Sequence, residues 1–322
     1  MRRSWYLLFG LCLALLSPAA GGETYPERPV RIVVGFPPGG TTDVIARLVA
    51  QALADRMGRS FIVDNRGGAS GNIGAEAVAK SPPDGYTLLL TSSTHGTAAS
   101  LYSHLGFDPV KSFAPIAILA STPYVLVTHP SVPVRSVAEL IHYLKERPGE
   151  LNYASTSPGT GQHLSGELLK RMAGVDIVHV PYKGTGPALP DLLAGRITLM
   201  FENVAIMTQY VNAKQLNGLA ITSLKGRSPL LPDVPTVAES GLPGFEVLGW
   251  FALLAPAGTP PEIVRLLNEE SNAVLRTPAV ADRLATLGAA PIGGTPAECR
   301  AFIEAEIAKW GAVIREAGIR LD

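Results

Sequence analysis

The sequence predicts an α/β protein of two lobes, the second inserted within the first. Three observations carry that prediction. From residue 30 onward, short β-branched or apolar runs alternate with segments of helical period, the pattern of α/β domains with largely parallel sheets. A strand, glycine turn and helix follow one another around residue 35, and the same design returns around residue 158. Apolar stretches at 113–128 and 245–254 supply two crossover connections. Residues 23–122 and 246–322 then form lobe 1, and residues 123–245 form the inserted lobe 2.

The first unit is the most informative. Val30 to Val34 is a β-branched run that reads as a buried strand. Phe36-Pro37-Pro38-Gly39-Gly40 follows; its prolines cannot donate to a ladder, and its glycines permit a tight turn. Thr41, Thr42 and Asp43 have N-cap chemistry, and Val44, Ile45, Leu48, Val49, Ala52 and Leu53 recur at helical spacing up to Met57. The turn thus delivers the exposed end of a helix, whose unpaired N–H groups and partial positive charge suit an anion.

The remaining elements follow in order. Phe61 to Asp64 is a second strand, running into a flexible glycine loop, Asn65 to Asn72, that caps a helix near Ile73 to Lys80. Tyr86 to Leu90 is the third strand and ends in a polar loop, Thr91-Ser92-Ser93-Thr94-His95-Gly96. Two apolar runs within Phe113 to Thr128 are split at Ser121-Thr122-Pro123, where the chain crosses to the second lobe. A helix from Ser136 to Arg147 and a strand from Leu151 to Ala154 lead into Ser155 to His163, the second glycine turn. The inserted lobe continues with a strand at Asp176 to Val180, the segment Pro181-Tyr182-Lys183-Gly184-Thr185-Gly186 and a helix near Pro187 to Ala194. A strand at Ile197 to Phe201 ends in Glu202-Asn203, and Leu216 to Ile221 is a further strand. Pro229 to Gly244 carries four prolines and reads as a long surface connection. Phe245 to Leu254 returns the chain, and three helical segments occupy Pro260 to Gly318. A hinge is expected near Ser121 to Thr128 and Leu242 to Leu254, with a cleft walled by strand-end loops.

Residues 1–22 have the layout of a cleaved secretory signal peptide: Arg2 and Arg3, the apolar run Trp5 to Leu16, then Ala19, Ala20, Gly21 and Gly22. The run is short for a bilayer span. Leu11 precedes Cys12, where a lipoprotein signal wants a small residue. Without Arg2 and Arg3 the 27 basic residues fall to 25 against 27 acidic, a formal charge of −2. That balance argues against a nucleic-acid partner. Only Cys299 then remains, so no intramolecular disulfide can form, and stability must come from the core.

Several chemistries are poorly supported. Gly159-Thr160-Gly161 is followed by Leu164 where the dinucleotide fingerprint wants a small residue, and no Gly-Lys-Ser/Thr follows Gly35, so no cofactor is expected. There is no Gly-x-Ser-x-Gly elbow, and the six histidines show no metal-ligand spacing. His95 and His163 sit on strand-end loops and are candidates for the cleft. What recurs is neutral donors on those loops: Thr41 and Thr42; Ser92, Ser93 and Thr94; Ser155, Thr156 and Thr160; and Tyr182. Hydroxyls and helix-end N–H groups suit a carboxylate without the desolvation cost of a buried arginine. Each residue alone serves equally well as a helix cap or turn donor. Their recurrence at several loops points to a ligand.

At this point the chain resembles the solute receptors of tripartite tricarboxylate transporters, the Bug receptors. The resemblance covers essentially the whole chain after residue 22. It rests on Tyr25-Pro26, Arg28-Pro29, Phe36 with Gly39-Gly40 and Asp43, Asn65-Arg66, Gly71-Asn72-Ile73-Gly74, Pro83-Asp84-Gly85-Tyr86-Thr87 and Asp108-Pro109. Further on it rests on Leu151 to Ser155, Gln162-His163-Leu164, Val178 to Gly184, Leu231 to Thr236 and Ala255 to Pro260. The order and spacing of these segments are specific where each alone is weak.

The resemblance implies a two-lobe Venus-flytrap receptor, similar to type II periplasmic binding proteins, that closes on small carboxylates. It implies that a ligand carboxylate is held largely through ordered water by the loops Phe36 to Thr42, including Gly40, and Ser155 to His163, including Gly161. Glu202 departs from the family pattern, standing where aspartate is usual, and is expected to select the ligand. The chain is therefore expected to be a periplasmic monomer, not an enzyme. It would deliver a small organic acid (a di- or tricarboxylate, an amino acid or an aromatic acid) to inner-membrane permease subunits. The alternative is a secreted α/β hydrolase-like enzyme with Glu202 or His163 as base.

Overall fold

A computed structural model of the chain describes residues 25–224 and 226–321. The expected leader, residues 1–22, lies outside the described residues.

Strand β1 (Val30–Val34) is buried on both faces because β2 (Phe61–Asn65) and β3 (Thr87–Ser92) flank it as parallel neighbours, with helices α1 (Thr41–Met57) and α2 (Asn72–Ala79) as their connections. This placement explains its unbroken β-branched run. Helix α3 (Thr94–Leu101) follows β3 directly, so the expected polar loop at 91–96 is a strand end and a helix start.

The main departure from the sequence reading is β4 (Phe113–Thr128). It is one continuous strand, with no break at Ser121-Thr122-Pro123. Its first half pairs antiparallel with β9 (Leu248–Pro256), from Phe113 opposite Pro256 to Pro123 opposite Leu248. Its second half pairs antiparallel with β7 (Leu199–Asn203) and β8 (Asn217–Ile221). One strand thus belongs to both lobes, and Pro123 is tolerated where the partners change.

Between β4 and β9 the chain builds the second lobe. Helix α4 (Val137–Lys145) starts at Ser136, whose hydroxyl accepts from the Glu139 amide. Strand β5 (Asn152–Ser155) runs parallel to both β6 (Val178–Pro181) and β7, with α5 (Gly161–Ala173) and α6 (Thr185–Leu193) as connections and α7 (Val204–Asn212) after β7. Helices α8 (Pro261–Leu275) and α9 (Pro278–Thr286), the short strand β10 (Ala290–Gly293) and α10 (Pro296–Glu316) complete the chain. The spatial order is β2-β1-β3-β9-β4-β7-β5-β6, with β8 and β10 also on β4. The sheet is therefore mixed rather than largely parallel, because the strands that return the chain between lobes run antiparallel to their neighbours.

The surface connection expected at Pro229 to Gly244 is in fact packed. Leu231, Val234, Val237 and Leu242 are buried, Thr236 bridges to Ile221, and Thr236 and Glu239 cap each other at 3.0 Å in both directions. Helix α10 also does more than fill lobe 1. Cys299 and Ile303 pack on the core of β1, β3 and β9, whereas Trp310, Val313 and Ile314 join the core around Tyr153, Leu164 and Phe245. It links the two lobes beside the two crossing strands.

Candidate ligand-binding cleft

Between the lobes lies a cavity of about 480 Å³, and both glycine turns reach it. The first turn ends at Gly40, which precedes α1 and makes no side-chain capping bond. Asp43, expected as capping chemistry, holds the turn from inside the helix. Its Oδ2 accepts from the Gly39 amide at 2.9 Å and from Arg47 Nε at 3.0 Å, and its Oδ1 accepts from Asn65 Nδ2 at 2.9 Å. Asn65 Nδ2 also donates to the Phe36 carbonyl at 3.0 Å. The Arg47 guanidinium holds the Asp43 pKa down at about 2 against the opposing effect of burial, helped by Gly39 and Asn65. Behind the turn, a Cβ on Gly35 would stand 2.6 Å from the Gly71 backbone. Only glycine allows that approach, so the Gly71 end of the 65–72 segment packs against the first turn, while residues 66–69 are exposed.

The second turn ends at Thr160, which likewise caps nothing with its side chain; its hydroxyl donates to the Ser157 carbonyl at 2.7 Å. His163 holds this turn by accepting the Gly159 amide at Nδ1, 2.9 Å away, which places its own proton on Nε2. Its ring stacks on His179 at 3.9 Å between centroids, and His179 Nε2 meets Ser155 Oγ at 2.7 Å. Burial, with His179 and Lys170 adding to it, pushes the His163 pKa down to about 3. The ring is therefore neutral, and its Nε2, 4.0 Å from Glu167, makes no ion pair at neutral pH. Glu167 instead accepts from Tyr153 Oη at 2.6 Å and Lys170 Nζ at 3.2 Å. Gly161 opens α5 against Tyr124, leaving no room for a side chain there.

Of the predicted residues, Phe36, Gly40, Thr41, Thr42, Ser92, Ser93, Thr94, Thr156, Thr160, Gly161 and Glu202 line the cavity. Four do not. His95 is buried against Phe107 and Phe113 with Nε2 2.8 Å from the Pro109 carbonyl, and desolvation holds its pKa at about 4. Tyr182 donates to Asp191 Oδ2 at 2.7 Å. Ser155 and His163 face each other's neighbours behind the second turn rather than the cleft. The hydroxyls in the cavity also differ from one another. Thr94 donates to the Ser70 carbonyl at 2.9 Å, Ser92 meets Thr94 at 3.2 Å, and Thr160 is engaged by Ser157. The side-chain hydroxyls of Thr41, Thr42 and Thr156 make no hydrogen bond within the described chain and are open to a ligand.

The sequence reading missed Thr122, Tyr124, Gln162, Thr185, Asn203, Ile206, Gly249 and Phe251. Thr122 and Tyr124 are alternate residues of β4, so a strand through the hinge would have flagged both. Gln162 and Thr185 lie inside segments already singled out, and only geometry shows that they reach Glu202. Gly249 and Phe251 carry no chemical signal.

Glu202, 1% exposed, is the one ionisable acid or base on the described wall apart from Tyr124; no lysine, arginine or histidine lines the cavity. Its Oε1 accepts from the Asn203 amide at 2.7 Å and Gln162 Nε2 at 3.1 Å, and its Oε2 accepts from Thr185 Oγ1 at 2.7 Å. Burial raises its pKa above the ordinary value, and the three donors oppose that shift. Helices α1, α3, α5 and α6 all begin at the cavity without a side-chain cap. Their first N–H groups are left for a ligand or water. Among the described residues no helix is long and apolar enough to cross a membrane, and no cluster of His, Cys, Asp and Glu could hold a metal ion.

Comparison with known proteins bears on what such a cleft does. Residues 45–319 match the family model described as "Tripartite tricarboxylate transporter family receptor". The chain is 42% identical to Protein BugT of Bordetella pertussis, over 98% of this chain and 97% of that protein. It is similar to the structure of R. palustris Rpa4515 with adipate (43% identity, TM-score 0.80, 92% of this chain and 100% of that one). It is also similar to MatC (Rpa3494) from Rhodopseudomonas palustris with bound malate (35% identity, TM-score 0.76, 90% and 100%). The two-lobe α/β architecture is shared with these solute-binding proteins, and a receptor family sets aside an enzyme using Glu202 or His163 as base. The chain belongs to the tripartite tricarboxylate transporter receptor family.

Proposed function

We propose that this protein is an exported, monomeric receptor that captures a small carboxylate in the cleft and hands it to the permease subunits of a tripartite tricarboxylate transporter. The observation that carries the reading is the pair of uncapped helix starts, at Gly40 and Thr160, on opposite walls of one cavity beside the free hydroxyls of Thr41, Thr42 and Thr156. Such donors bind an anion by charge-assisted hydrogen bonds, about 1.5–3 kcal/mol each, with no cationic side chain. Adipate and malate in the two similar structures support a carboxylate ligand. The Arg2–Gly22 segment supports export.

In this reading residues 23–122 and 246–322 move against 123–245 about β4 and β9. The last turns of α10 ride on the second lobe. Ligand contacts from both walls favour the closed arrangement over the open one. Mass spectrometry of ligand released from native protein, followed by calorimetry with that acid and its primary amide, tests the reading. Tight binding of the acid and loss with the amide are expected. Equal or better binding of the amide contradicts it.

A further inference from the structure

The cleft holds one buried carboxylate and no cationic side chain to match it. Glu202 is 1% exposed, yet its partners, the Gln162 amide, the Thr185 hydroxyl and the Asn203 N–H, are all neutral donors. A carboxylate accepts at about four lone-pair sites, and three are used here. The site left open belongs to Oε2, on a residue that lines the cavity. A buried charge is normally paired. Every lysine, arginine and histidine of the described chain lies off this wall. Helix starts at Gly40 and Thr160 favour an anion elsewhere in the same cavity. A ligand anion placed against Glu202 would meet a like charge, which repels strongly in a desolvated pocket.

We infer that the ligand of this receptor carries a positively charged nitrogen, an ammonium group that docks on Glu202 while its carboxylate sits on the helix starts. The cleft thus selects an amino-carboxylic acid over a plain dicarboxylate. The inference rests on the carboxylate reading above, and it assigns the discrimination to Glu202. Gln162 and Thr185 are positioning residues, holding the Glu202 carboxylate toward the cavity.

The test is calorimetry of the purified protein against a panel of matched acids. The α,ω-dicarboxylates from succinate to adipate are each set beside the α-amino derivative and the ω-amino acid of the same chain length, and beside the simple alkylamine. Wild-type protein should bind at least one amino acid tenfold or more tightly than its matched dicarboxylate. Glu202→Gln, which keeps size and fold, should abolish or reverse that preference. Glu202→Asp, which keeps the charge, should retain its direction. A preference for the dicarboxylates in wild type overturns the inference, as does a preference unchanged in Glu202→Gln or no binding by any amino acid at millimolar concentration. The alkylamine separates the two readings: binding as tight as the amino acid would leave the ammonium site standing and remove the carboxylate site.

Discussion

The turn from Gly35 to Asp43 and the turn from Ser155 to His163 both present an uncapped helix start to the cleft, but opposite chemistry holds them. The first is fixed by a charged centre: Asp43 gathers Gly39, Asn65 and Arg47 on one carboxylate. The second is fixed by neutral aromatic nitrogen: His163 takes the Gly159 amide and rests on His179, which meets Ser155. In both, a side chain inside the first helical turn reaches back to the glycine before it, Asp43 to Gly39 and His163 to Gly159. That leaves the terminal N–H groups unspent. Holding the turn and binding the ligand are therefore separate tasks given to separate atoms.

The largest expected effect is at the charged centre. Asp43→Ala removes the charged acceptor that the Gly39 amide and one Asn65 donor share in a part-buried site, hydrogen bonds of about 1.5–3 kcal/mol each. Arg47 is half exposed and is left solvated, so it adds little. A loss of about 3 kcal/mol in urea unfolding is expected, and a loss below about 1 kcal/mol would mean that the first turn holds itself. Next comes His163→Phe, which keeps the stacked area but strands the Gly159 amide. A loss of about 1–3 kcal/mol is expected, with Gln at that position recovering part of it by accepting the same N–H.

Acid should separate the two turns. Asp43 titrates at about 2, below the ordinary 3.8, so its contribution is complete above that ordinary value and is lost only as pH falls toward 2. His163 titrates at about 3, below the ordinary 6.5, so the unfolded chain binds the extra proton first. Its contribution is complete above 6.5 and is lost as pH falls from there toward 3, by at most about 1.4 kcal/mol per pH unit. His95 adds a similar slope down to about 4. Urea midpoints of wild type and His163→Gln, followed between these limits, should converge as pH falls from 6.5. Parallel curves would contradict the neutral-histidine account.

The smallest effect expected is at Thr160. From the sequence its hydroxyl is a natural donor to the ligand, but its hydrogen is directed to Ser157. Thr160→Val should therefore cost about 1 kcal/mol of stability and weaken ligand binding less than tenfold. A larger binding loss would mean that the hydroxyl turns to the ligand.

Much of this frame is legible in the chain because it rests on local rules. The β-branched run at Val30 to Val34, the glycine turn and the period of α1 each follow from neighbours in sequence. What failed to show depends on distant partners. β4 reads as two runs because Pro123 normally breaks a strand, and only the exchange of partners, from β9 to β7, makes it harmless. The four prolines of 229–244 mask Leu231, Val234, Val237 and Leu242, which find a core that the sequence cannot display. β10 is short and largely exposed, too weak a pattern to register. In the cleft, hydroxyl-rich loops were visible, but whether a given hydroxyl is spent depends on carbonyls such as those of Ser70 and Ser157. His163 was visible as a polar residue on a strand-end loop; its burial against His179 was not.

The terminal amides of the two helices decide whether the cleft captures an anion. Amide hydrogen exchange resolved by NMR, with and without the acid recovered from native protein, reads them one by one. Binding should slow exchange at Thr41, Thr42, Gly161 and Gln162, whose N–H groups await a ligand, and should leave Gly39 and Gly159 as they were, since Asp43 and His163 already hold them. Protection confined to Gly39 and Gly159, or none at the two helix starts, would contradict capture of an anion by the helix ends.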